Sequence, residues 1–123
     1  MGPIADEHRD PDELIAEITR EFCDGLQARV ESMRSALERL SSGYDGEAAE
    51  AFYRAAHSLK GTAASFEADE LVGPAADLSE VGLRWFETGV LDTAEVPAAL
   101  VGLERLQEAV ASYAARLEGD ASG

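Results

Sequence analysis

Four stretches of the chain repeat apolar residues at spacings of three and four, the signature of helices buried on one side, and Gly, Pro or Ser punctuation separates them. In the first, Ile15, Ile18, Phe22, Leu26, Val30, Met33, Leu37 and Leu40 form one stripe. Asp10 can cap it, Pro11 suits its first position, and Glu13 completes an Asp-x-x-Glu capping box. Gly25 allows a bend, and Ser41, Ser42 and Gly43 stop the helix. The second runs from about Asp45 to Phe66, with Phe52, Ala55, Ala56, Leu59, Ala63 and Phe66 on its apolar side. The third covers Asp69–Thr88 with Leu71, Ala75, Leu78, Val81 and Trp85 inward. Pro74 should kink it or delay its start, and Gly89 ends it. Asp92 with Glu95 signals a fourth start, and Leu100, Leu103, Leu106, Val110, Tyr113 and Leu117 carry its stripe to Gly119.

Four such helices joined by short loops fold most simply as an all-α, antiparallel, up-down-up-down four-helix bundle. Composition agrees: Ala, Leu and Glu make 51 residues, against 14 for Val, Ile and Thr together. The expected organisation is a flexible N-terminal tail over 1–10, the bundle over 11–119, and a flexible C-terminus over 120–123. With 123 residues there is space for one domain and none for separate cofactor and substrate domains.

The net charge of −15 would repel phosphates, which argues against nucleic acid or an anionic membrane as partner. No apolar run is long enough to span a bilayer, and Met1–Asp10 lacks the core of a signal peptide, so a cytoplasmic location is expected. Cys23 is the lone cysteine, and no set of residues has metal-ligand spacing; His8 falls in the tail. The charge is uneven. Residues 1–24 sum to −6 and residues 67–95 to −7, whereas residues 45–66 sum to only −1. The second helix is thus a nearly neutral strip on which an acidic partner meets least repulsion.

His57 lies on that strip, roughly 150° from the centre of the apolar stripe, and should face solvent. Tyr53, Lys60, Gly61 and Ala64 fall on the same side at i−4, i+3, i+4 and i+7. An exposed His is commonly without consequence. Here, however, the one lysine of the chain, Lys60, stands a turn away, where its ammonium can neutralise an anion carried on the imidazole. Gly61 costs the helix about 1 kcal/mol relative to Ala, and what it offers is open space beside His57. An accessible imidazole is a nucleophile, and a phosphoryl group is a natural cargo because its transfer needs in-line approach and charge neutralisation. No Ser/His/Asp set, phosphate-cradling Gly loop or paired His supports a hydrolytic reading.

The segment Phe52-Tyr53-Arg54-Ala55-Ala56-His57-Ser58-Leu59-Lys60-Gly61 through Phe66 resembles the signature of histidine-containing phosphotransfer domains, the HPt family. It also resembles the N-terminal phosphotransfer domain of chemotaxis-type histidine kinases. The resemblance implies a phosphorelay carrier with no active site and no cofactor of its own, and a monomer is expected. His57 would take a phosphoryl group from a receiver domain's aspartyl phosphate and pass it to another receiver, whose pocket holds the metal ion. Lys60 would help hold the phosphate or the partner's charge, and Gly61 would permit close approach. By the helical wheel, Tyr53, Arg54, Ser58 and Ala64 would line the docking surface. The partners implied are response-regulator receivers and a cognate sensor kinase.

The chain departs from the family pattern twice. Glu67 follows Phe66 where a glycine is common, and the third-helix position that carries a His-bonding Glu in chemotaxis-type domains falls on Ser79. Should Pro74 shift the register by one, Glu80 would be the partner of the His57 ring. Two alternatives stand beside the carrier: the phospho-accepting domain of a chemotaxis-type kinase, and a helical module that docks receivers without taking phosphate.

Overall fold

The computed structural model describes residues 10–122, which form four helices: α1 (Pro11–Leu40), α2 (Gly46–Ser65), α3 (Asp69–Thr88) and α4 (Glu95–Ser122). Residues 1–9, expected as a tail, lie outside the described residues. Each helix packs on its two neighbours in a closed ring, α1 on α2 and α4, α3 on α2 and α4, with no diagonal contact among the described residues. Side-chain pairs fix the directions. Phe22 meets Phe66 while Arg29 meets Ser58, and Phe22 meets Tyr113 while Arg34 meets Gln107. As the number rises on one helix it falls on its neighbour, so the bundle is antiparallel, as the short loops require.

Local chemistry sets the helix ends. The Asp10 carboxylate accepts from the Asp12 amide at 3.0 Å, with Pro11 at the first helical position. Asp45 caps α2, accepting from Glu47 N at 3.0 Å and Ala48 N at 3.2 Å, and Arg39 pairs with its other oxygen at 2.7 Å. The Ala48 amide and Arg39 hold the Asp45 carboxyl below the usual range, against its partial desolvation. Gly89 ends α3 in the left-handed region at φ 65°. At the end of α2, Ala68 N donates to Ala63 O and Glu67 N to Ala64 O, a Schellman closure that puts Glu67 at φ 57°. The family's glycine is therefore missing at the position whose backbone most favours one.

Trp85, Phe52, Leu26, Met33, Leu37, Leu40, Leu59, Leu71, Leu103, Leu106 and Val30 are fully buried and form the bulk of the core. Glu95 ties α4 to α3, accepting from Trp85 Nε1 and from Arg84 at 3.0 Å. Three expectations need correction. Ile15 and Ile18 are exposed, not buried, because Phe22 already stacks on Phe66 at the C-terminal end of α2 and the preceding turns of α1 have no α2 beside them. Pro74 does not delay α3, which starts at Asp69 and runs through it. Finally, α4 continues past Gly119 to Ser122.

Candidate functional site

The core-facing row Phe52, Ala56, Leu59 and Ala63 fixes the rotation of α2 and so turns His57 to solvent. Among the described residues the ring makes no hydrogen bond; its companion is Tyr53, with ring centroids 5.6 Å apart and an interplanar angle of 31°. One turn on, a Cβ added to Gly61 would meet nothing within 4 Å. Ala64 is exposed beyond it, and Lys60 is half-buried with no ion pair among the described residues. The imidazole thus stands beside an unobstructed step with a free ammonium at its edge. That arrangement can accept an anionic group and let a second protein reach it.

The remaining expected residues divide. Arg54 is exposed but engaged, paired with Glu50 at 2.7 Å across one turn. Ser58 is half-buried on the side toward α1, where its hydroxyl accepts from Arg29 Nε at 2.7 Å. Arg29 reaches that position over Gly25, whose carbonyl accepts from Arg29 Nη1 at 2.9 Å and whose missing Cβ would lie 3.0 Å from that nitrogen. Gly25 therefore makes room for a guanidinium. Arg29 was not singled out from sequence, because a bond spanning 29 positions leaves no local signal.

Glu80 is exposed and makes no hydrogen bond to His57 among the described residues. The α2–α3 register explains this. Gly82 packs on Tyr53, where an added Cβ would come within 3.0 Å of the Tyr53 Cα. One antiparallel turn along, His57 is level with Leu78 and Ser79, and Ser79 is buried at 5% exposure.

An exposed histidine midway along the second helix of a closed antiparallel bundle, followed by Lys and Gly, is the arrangement that decides the family. A family model described as Hpt domain matches residues 17–115. The chain belongs to the Hpt domain family. Comparisons with curated proteins and with solved structures returned no match. Membership makes this Hpt domain a phosphotransfer component of two-component signalling that works with receiver domains. Among its described residues no helix is long and apolar enough to cross a membrane, and no cluster of His, Cys, Asp and Glu could hold a metal ion.

Proposed function

We propose that His57 is the phosphoacceptor of a relay, charged by one receiver domain and discharged to another. The open step over Gly61 carries this reading, since a receiver's aspartyl phosphate must come within bonding distance of the ring. A lone pair of an imidazole nitrogen attacks phosphorus in line. The bond from phosphorus to the aspartyl oxygen breaks, and its electrons leave on the aspartate carboxylate. The new N–P bond is the one the next receiver's aspartate breaks. Lys60 supplies a point charge to the phosphoryl oxygens. The divalent metal ion that neutralises the reacting phosphate belongs to the receiver.

The absence of a hydrogen bond from the exposed Glu80 to the ring, and a buried Ser79 where the ungapped count falls, favour a relay carrier over the substrate domain of a chemotaxis-type kinase. The test is a two-step transfer. The domain is labelled by a receiver charged with acetyl phosphate, separated from it, and mixed with a second, uncharged receiver. A relay carrier gains acid-labile label and then loses it to the second receiver. A docking module would gain none, and a terminal acceptor would keep what it gained.

A further inference from the structure

α1 and α4 are longer than the helices between them, 30 and 28 residues against 20 each for α2 and α3. Phe22 stacks on Phe66, which closes the last turn of α2, so Pro11–Glu21 runs on past α2 as about 16 Å of overhanging helix. Phe22 also meets Tyr113, and the antiparallel pairing therefore sets Ile18 level with Leu117 of α4. The core row of α1 continues into the overhang. Ile15 and Ile18 stand at i−7 and i−4 from the buried Phe22, with Leu14 one turn before Ile18. With no α2 to cover them, Leu14, Ile15 and Ile18 are 46, 57 and 45% exposed, and the row leads onto the Phe66 ring at 47%. Acids border this apolar row. Asp12 is at i−3 from Ile15, Glu21 at i+3 from Ile18, and Glu67 follows Phe66; all three are exposed and make no ion pair among the described residues. Burial, then the charges of Cys23 and Glu67, holds the Tyr113 phenol above its ordinary pKa, which sets Glu67 beside the floor of the overhang.

We infer that the overhang of α1 receives a basic amphipathic helix of a partner protein. Its apolar side lies on Leu14, Ile15, Ile18 and Phe66, and its Lys and Arg side chains meet Asp12, Glu21 and Glu67. A helix fits because the exposed row repeats at spacings of three and four, as a facing helix would. Charge selects its chemistry: residues 10–21 carry five carboxylates against the one Arg20. A second copy of this chain would set that acidic stretch against itself, on partners of −15 each. A lipid surface takes amphipathic helices bordered by Lys and Arg, and carboxylates border this one. The surface is separate from the phosphotransfer site. Arg29 bonds Ser58, so His57 is level with about Val30, and Ile18 lies about 18 Å farther along the axis.

The test uses the full chain and a fluorescent synthetic helix of Leu and Lys, with Leu at spacings of three and four. A permuted peptide of the same composition, lacking an apolar face, is measured beside it. Wild type should bind the amphipathic peptide at least about tenfold more tightly than the permuted one. Ile15→Gln combined with Ile18→Gln should weaken that binding about tenfold. Ile15→Leu with Ile18→Leu should stay within about twofold of wild type, and because Gln and Leu are both good helix formers the difference reports the apolar face. Asp12→Asn with Glu21→Gln should bind more weakly and lose much of the salt dependence. Val101→Gln, at a site 49% exposed on α4, should match wild type. Equal affinity for the two peptides, or unchanged affinity in the Ile15→Gln, Ile18→Gln protein, overturns the proposal. So does sedimentation showing a wild-type dimer that the same two substitutions dissolve, or binding to phosphatidylglycerol vesicles with none to the peptide.

Discussion

In the relay proposed for His57, Gly61 weakens its element and serves the approach of the partner. It is a poor helix former in the interior of α2, and no neighbouring atom requires it to be small, since an added Cβ would meet only open space. In the proposed relay its smallness serves a receiver that arrives from outside. Gly61→Arg should leave α2 as stable as before or up to about 1 kcal/mol more so, while cutting the rate of transfer from a receiver by a large factor. Thermal melts and transfer rates on one preparation check both halves. Wild-type transfer by that variant would mean that the partner does not approach over this step. Ser58 illustrates the converse. The wheel says nothing of its partner: its hydroxyl is held by Arg29, and only the packing of α1 on α2 reveals that.

At the scale of elements, the turn after α2 holds a non-glycine residue in the left-handed region, Glu67 at φ 57°. The two Schellman bonds around it do not involve its side chain, so glycine can replace it without loss of hydrogen bonding. Glu67→Gly should be more stable by about 0.5–1 kcal/mol in urea unfolding, the relief of strain being partly offset by the freer unfolded chain. A loss of stability would show that the glutamate makes a contribution larger than the strain. The other end of α2 is governed by charge. Asp45 binds its proton less readily in the folded than in the unfolded protein, so the unfolded state takes up the proton first as pH falls. Its contribution is present at neutral pH and is lost as the solution passes below the usual carboxylate range. Asp45→Asn keeps a cap acceptor but not the charge. Its deficit against wild type should accordingly be largest near pH 7 and shrink toward about pH 3. A deficit that is flat with pH would assign the cap entirely to hydrogen bonding.

Across the whole molecule, the helices were legible because their signals are local: an Asp cap before Pro11, the Asp92 and Glu95 start signal, the glycine stop at Gly89, and stripes that repeat every three or four residues. His57, Lys60 and Gly61 were legible for the same reason, since one turn of one helix brings them together. What failed was whatever depends on how far a neighbour extends or how closely it approaches. Ile15 and Ile18 continue a valid stripe and yet are exposed, because α2 ends beside Phe22. Residues 45–66, which carry His57, sum to only −1 on a chain of net charge −15, and the acidic stretch 67–95 follows them.

The account stands on His57 being the atom carrier, and site-specific loss of label tests that most directly. Wild type and His57→Gln are incubated with the same charged receiver, and acid-labile phosphate on each is measured alongside its thermal melt. Because the ring is exposed and makes no hydrogen bond among the described residues, the substitution should move stability by no more than about 0.5 kcal/mol. The expected result is label on the wild type, none on the variant, and two coincident melts. Label of equal amount on a folded His57→Gln protein would contradict the account.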